Sequence, residues 1–204
     1  MISRPDIERI VRETVDRLVR INVSARHLHI TQDHLEVLFG SGHSLTRYKD
    51  LMQPGEFASG ETVTVVGPNR RVFEKVRILG PTRSQTQVEL SFNDGRYIGL
   101  DLPARLSGNI KGSLPIVLVG PRGVLQLREG AIRALRHIHI GEAEAMHLGV
   151  KNGEMVRVKT HGAMAVTFEN VLIRVGSNAV REMHIDTDEG NAAGLPSSTL
   201  GLLV

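Results

Sequence analysis

Apolar residues Ile7, Ile10, Val11, Val15 and Leu18 recur at helical spacing, while Glu8, Arg9, Arg12, Glu13 and Asp16 fill the opposite side. This predicts an amphipathic helix over residues 6–18, with Ser3 and Asp6 as a capping box and Pro5 in the first turn. Such a helix can cover the core, line a dimer interface or dock in another protein's groove. The period then changes. Residues 21–30 read as a strand, and Thr31-Gln32-Asp33-His34 as the start of a helix carrying Leu35, Val37, Leu38 and Phe39 and ending at Gly40-Ser41-Gly42. Residues 43–60 read as loop. Residues 60–67, 72–79 and 87–91 read as strands, with turns at Pro68-Asn69 and Asn93-Asp94-Gly95.

The second half repeats the first. Arg26-His27-Leu28-His29-Ile30 returns as Arg136-His137-Ile138-His139-Ile140. The stretch from Gly60 matches that from Gly153, and Phe73-Glu74-Lys75-Val76 matches Phe168-Glu169-Asn170-Val171 at an offset of 95, which holds onward to Leu100 and Leu195. Short strands separated by Gly and Pro turns suggest barrels. The fold expected is mainly β: two related small β-barrel domains from an internal duplication, with short helices and the N-terminal amphipathic helix.

Each R-H-x-H-I string alternates two histidines with an aliphatic residue. Neighbouring strand residues face opposite ways, so each histidine pair shares one face while Leu28 or Ile138 points to a core. The constant offset aligns Glu89 with His184. Each half thus offers three metal-ligating residues: His27, His29 and Glu89 in the first, His137, His139 and His184 in the second. Three N/O donors with an open position is the pattern of catalytic zinc, and it also suits Fe, Mn, Co or Ni. The remaining histidines, His34, His43, His147 and His161, read as structural. Arg83, six residues before Glu89, suits a phosphate or carboxylate but also reads as a solvated loop residue. Arg26 and Arg136 are placed to pair with backbone or carboxylates. Asp186 and Asp188 are candidates either to orient an imidazole or to form a turn.

Composition narrows the partners. The 204 residues include 9 His and no Cys, with 3 % aromatics and a formal charge of +3. Disulfides are excluded, and any metal must be held by N and O donors. The pI is about 9.6, but no basic run stands out and stacking residues are scarce, so nucleic acid is not expected. No run is long enough to span a membrane, and the first residues hold no apolar signal core, so a soluble intracellular protein is expected.

Six motifs, in order, resemble the phosphate propanoyltransferase (PduL-type phosphotransacylase) family. They are Ser24-Ala25-Arg26-His27-Leu28-His29, Gln53-Pro54-Gly55, Leu79-Gly80-Pro81-Thr82-Arg83 with Thr86-Gln87-Val88-Glu89, Ser107-Gly108, Arg136-His137-Ile138-His139, and Glu182-Met183-His184-Ile185-Asp186-Thr187-Asp188-Glu189. The resemblance implies an acyltransferase that interconverts a short-chain acyl-CoA (propanoyl or acetyl) plus phosphate with acyl phosphate plus CoA; with no Cys and no evidently activated Ser as covalent nucleophile, direct transfer is expected. It implies a dinuclear site with two zinc ions per chain. His27, His29 and Glu89 would hold one, with the CoA sulfur exchanging on it. His137, His139 and His184 would hold the other. Arg83 would bind the phosphoryl group, and Ser24, Lys49, Arg77, Leu79 and Asn191 would line the CoA pocket. Domain boundaries by resemblance are residues 1–20 for the helix, 26–135 for the first barrel, and 21–25 plus 136–204 for the second. Residues 1–20 fall where some members carry a peptide that docks on a microcompartment shell protein. The expected location is therefore the lumen of a bacterial microcompartment, as in propanediol degradation, or the cytoplasm. A homodimer is also expected.

Two departures stand out. The family often has Ser-Asn-Arg-His where Ala25 stands, and Ser-Arg-Thr-Asp where Ser91-Phe92-Asn93-Asp94 stands. Two alternatives to the transferase remain at this level. One is a cupin-like mononuclear metal oxygenase or isomerase using His137, His139 and Glu144. The other is a non-catalytic metal-binding module.

Overall fold

The stretch 21–30 is not one strand. In the computed structural model, which describes residues 2–196 and 198–204, helix α1 (Arg4–Asp16) is followed by β1 (Leu18–Ser24), and the chain breaks at Ala25-Arg26 before β2 (His27–His29). The helix stops at Asp16 rather than at 18 because Leu18 is already paired with Leu202 across the sheet. The first half continues with α2 (Gln32–Phe39), β3 (Arg47–Asp50), β4 (Phe57–Val66), β5 (Val72–Gly80), β6 (Gln87–Glu89), α3 (Phe92–Ile98), β7 (Ala104–Arg105), β8 (Leu114–Val119) and β9 (Val124–Ala134). The second half holds β10 (His137–Gly141), α4 (Glu142–Leu148), β11 (Met155–Lys159), β12 (Thr167–Gly176), β13 (Glu182–Asp186), α5 (Thr187–Ala192) and β14 (Ser198–Leu203).

These elements form two compact units, residues 24–135 and residues up to 23 with 136–204. In the 24–135 unit, β4, β5, β2, β6, β9 and β8 pair in that order, and β8 returns to β4. In the other unit, β1, β13, β10, β12, β11 and β14 close a ring of the same size. The protein is mainly β, with two six-stranded barrels. Closing the ring pairs each of its six strands on both sides, with β3 and β7 added at the rim of the 24–135 unit, and a barrel this narrow is filled by side chains. One core is built around Leu28, Ile78, Val88 and Leu118, the other around Ile21, Ile138, Ile173 and Met183.

Each strand that leads into an HxH strand is spent on the other unit. β1 runs into β2 but pairs with β14, and β9 runs into β10 but pairs with β6 and β8. The short breaks at Ala25-Arg26 and Leu135-Arg136 mark the passage. The duplicated segments therefore exchange their first strands, which sequence periodicity does not show.

The apparent loop of 43–60 contains β3 and the start of β4, and Asn93-Asp94-Gly95 is helix rather than turn. Ser91 caps α3 and Asp94 completes its capping box. Gly95 is glycine because a Cβ there would lie 2.7 Å from Leu102. A Cβ on its counterpart Gly190 in α5 would lie 2.8 Å from Val23.

His43 and the 43–46 segment are held by Glu61, a buried carboxylate on β4. It accepts hydrogen bonds from Thr46 N at 3.0 Å, Thr46 Oγ1 at 2.9 Å and His43 Nε2 at 3.1 Å. Burial acts to raise its pKa, but these bonds more than offset that and hold it below the usual 4.5. A depressed carboxylate pKa contributes stability above the unfolded value, lost as pH falls through the folded one. Glu61→Gln is expected to cost about 1–3 kcal/mol at neutral pH and to flatten part of the acid decline below pH 4.5. Urea titrations at a series of pH values measure both.

Candidate metal centres

The two HxH strands sit in equivalent places. In the 24–135 unit, β2 runs parallel to β5 and antiparallel to β6, with His27 opposite Glu89 and His29 opposite Gln87. In the 136–204 unit, β10 runs parallel to β12 and antiparallel to β13, with His137 opposite His184 and His139 opposite Glu182. Leu28 and Ile138 are buried in their barrel cores, so the strand period turns all four histidines to the other face.

His27, His29 and Glu89 bring one donor atom each within 4.8 Å of one another, as do His137, His139 and His184. Two donors about 2.0–2.2 Å from a tetrahedral zinc lie about 3.3 Å apart. His27 Nε2 is 3.4 Å from Glu89 Oε2, His29 Nε2 is 3.8 Å from Glu89 Oε1, and the Nε2 atoms of His137 and His139 are 3.1 Å apart. These spacings fit an ion of that size in each triad.

The protonation pattern fits as well. His27 Nδ1 donates to the Ala25 carbonyl at 2.9 Å, which leaves the lone pair on Nε2, toward Glu89. His29 is only 4 % exposed. Its pKa is lowered to about 3 by burial first, then by its neighbours His27 and Arg83, partly opposed by Glu89. It is therefore the neutral imidazole that a metal requires. Its Nδ1 is buried without a regular hydrogen bond, the Leu79 backbone being the nearest compensation.

Arg83 stands beside the first triad. Its backbone N–H donates to Ile30 O at 2.8 Å, which ties the loop to the end of the HxH string. Its guanidinium contacts Glu56 Oε1 at 2.7 Å and Ser107 Oγ at 3.4 Å. A guanidinium thus lies next to a triad of candidate metal ligands.

A family model described as phosphate propanoyltransferase matches residues 20–196. Curated relatives named phosphate propanoyltransferase include one from Lachnoclostridium phytofermentans, 55 % identical over 86 % of this chain and 82 % of its own. Another, from Planctopirus limnophila, is 44 % identical over 97 % and 90 %. One from Thermotoga maritima is 45 % identical over 90 % and 88 %.

The chain belongs to the phosphate propanoyltransferase family. It is accordingly an acyltransferase of the phosphotransacylase type. The other positions singled out by resemblance to that family are spread over both units. Arg77 on β5 pairs in register with His27, donates to Ser59 O and lies over the Tyr48 ring at 5.0 Å, beside Lys49 on β3. Leu79 is on β5 and Ser24 ends β1, while Asn191 lies on α5 in the other unit. Glu144, the acid of the cupin-like alternative, pairs with Arg181 at 3.5 Å, and the third member beside His137 and His139 is His184. The departure at position 25 acts through backbone, since it is the Ala25 carbonyl that anchors His27. Phe92 lies beneath the guanidinium groups of Arg96 and Arg133, each 5.5 Å from its ring.

Two arginines clamp the HxH strands in matching ways. Arg26 makes a two-pronged ion pair with Asp94 at 2.8 and 3.1 Å and lies 4.2 Å over Phe73. Arg136 pairs with Glu189 at 2.8 Å and lies 5.4 Å over Phe168. Asp94 and Glu189 are the capping-box acids of α3 and α5, so each clamp ties an HxH strand to the helix after its third candidate ligand. Asp186 caps α5, and the carboxylate against His184 is Glu182, two residues earlier. Glu56, Gln87 and Glu182 were not singled out from sequence. The signal for the last two was present, because residues 87 and 89, like 182 and 184, share a strand face.

Arg26→Met should cost about 1.5–3 kcal/mol, the value of a hydrogen-bonded charge whose buried partner Asp94 is left behind. Chemical denaturation of the variant against wild type checks this.

Proposed function

We propose that the chain interconverts a short-chain acyl-CoA plus phosphate with acyl phosphate plus CoA, with propanoyl-CoA and acetyl-CoA as the substrate class and one zinc ion held by each triad. The observation that carries this reading is the Arg83 guanidinium beside His29 of the first triad, an arrangement that suits an anion next to a metal ion. When bound, the ions supply Lewis acidity and lower the pKa of a coordinated thiol. The protein's own groups supply orientation. Arg83, steadied by Ser107 and held by Glu56 until an anion displaces it, binds the phosphoryl group and stabilises the charge that develops on it. Lys49 and Arg77, set around Tyr48, suit the phosphates of CoA, with Leu79 two residues further along the strand of Arg77; Ser24, at the end of β1, is assigned to the pocket by resemblance. Asn191 keeps only the support of the resemblance. With no cysteine in the chain, direct transfer between the two bound substrates is the route proposed.

Thiol release from propanoyl-CoA or acetyl-CoA, followed with a disulfide reagent, should depend on added phosphate. Arg83→Ala should lower kcat/KM for phosphate by about 10²–10³-fold, the usual loss for one oriented donor. A wild-type rate in that variant refutes the role of Arg83, and no phosphate-dependent release with any short acyl-CoA refutes the reaction. Metal analysis should find about two zinc ions per chain. One iron or manganese would favour a mononuclear centre instead.

Residues 1–20 are proposed to dock on a microcompartment shell protein. None of the residues of α1 is buried, and Ile7, Ile10, Val11 and Val15 are 45–55 % exposed along one stripe. Deletion of residues 2–15 should leave turnover unchanged and abolish co-sedimentation with assembled shells. If the stripe instead joins the two chains of a homodimer, the deletion halves the mass in sedimentation.

A further inference from the structure

Glu182 is a carboxylate with only 3 % of its surface exposed, and none of the roles above uses it. Its Oε2 accepts a hydrogen bond from His184 Nε2 at 2.8 Å. Gln87 occupies the same place in the other unit: two residues before the third candidate ligand, on the same strand face, and opposite the second histidine of the HxH pair. It is 2 % exposed. Its amide Nε2 donates to Glu89 Oε1 at 2.5 Å and to Ser107 Oγ at 2.6 Å, and its Oε1 accepts from Gly108 N at 2.7 Å.

The chemistry of each pair follows from the donor inventory. Gly108 N–H can only donate, so the amide oxygen of Gln87 must face it and the NH2 must face Glu89. A carboxylate ligand thus receives a donor, which fixes its orientation and draws charge from it. An imidazole needs the reverse. The carboxylate of Glu182 accepts a hydrogen bond from Nε2–H, which keeps the proton on Nε2, leaves the lone pair on Nδ1 and makes the ring a stronger electron donor. Where the duplication exchanged Glu89 for His184, the neighbour two residues earlier is Gln in one copy and Glu in the other.

We propose that Gln87 and Glu182 are equivalent positioning residues, one per unit, each matched in hydrogen-bonding sense to the metal ligand it holds. The inference rests on the metal reading of the two triads. It assigns Glu182 to orienting His184 rather than to binding the ion, and it makes the two sites unequal in donor strength by design of residues outside the triads.

Zinc titration of metal-stripped full-length protein against a coloured chelator tests it, with wild type measured first. Wild type should take up two equivalents, and uptake of none overturns the metal reading and this inference together. Glu182→Met should weaken one equivalent by about 10–100-fold and leave the other unchanged. Gln87→Met should weaken the other equivalent by a similar factor, and the double variant should weaken both. Glu182→Gln separates positioning from ligation, because its amide oxygen still accepts from His184. It should regain most of the affinity that Glu182→Met loses. The cobalt-loaded proteins should show a changed ligand-field spectrum for each Met variant, while metal-free melting curves read by circular dichroism identify any loss of fold. Two undisturbed zinc equivalents in folded Glu182→Met and Gln87→Met overturn the inference and leave the metal reading intact. Loss of zinc in Glu182→Gln as severe as in Glu182→Met overturns it too, since Glu182 would then be a ligand.

Discussion

The two triads depend on one constraint, the alternation of side chains along a strand whose other face is locked in a barrel core. Leu28 and Ile138 are buried among aliphatic neighbours, and a one-residue slip would send histidines into that core at a prohibitive desolvation cost. The aliphatic residue between the histidines therefore fixes where they point. Cross-strand pairing then supplies the third member, because the residue opposite the first histidine is Glu89 in one unit and His184 in the other.

Around that constraint the two units repeat their supporting structure with chemical substitutions. Arg26 with Asp94 and Phe73 answers Arg136 with Glu189 and Phe168. Ser91 and Asp186 both cap the helix that follows the third ligand position. The copies diverge where chemistry does. Position 89 is a carboxylate and position 184 an imidazole, and in the 24–135 unit the Arg83 loop lies beside the triad. The two units keep their clamps and caps and differ at a candidate ligand position, as expected when a fold carries sites that vary independently of it.

The metal-competent state of the first triad is set by burial more than by charge. His29 lies in a dry environment beside the Arg83 guanidinium, which keeps its ring neutral. Arg83 contributes to that neutrality while pairing with Glu56. One guanidinium therefore acts on His29 electrostatically while paired with a carboxylate.

Local pattern sufficed for the features whose cause is local. Alternation put each histidine pair on one face, the 95-residue offset aligned Glu89 with His184, and the capping box of α1 was written in Ser3 and Asp6. Sequence misjudged elements whose cause is distant. Residues 21–30 read as one strand because both pieces are apolar, yet β1 and β2 pair with different partners. Asn93-Asp94-Gly95 read as a turn because its glycine is demanded by the nearby Leu102 side chain, not by backbone freedom. Gln87 and Glu182 were visible as i, i+2 neighbours of ligand positions, but nothing local says that a buried side chain will turn toward its neighbour. The exchange of first strands between the two units was decided by tertiary structure alone, because strand pairing is a choice among distant segments that hydrophobic period does not encode.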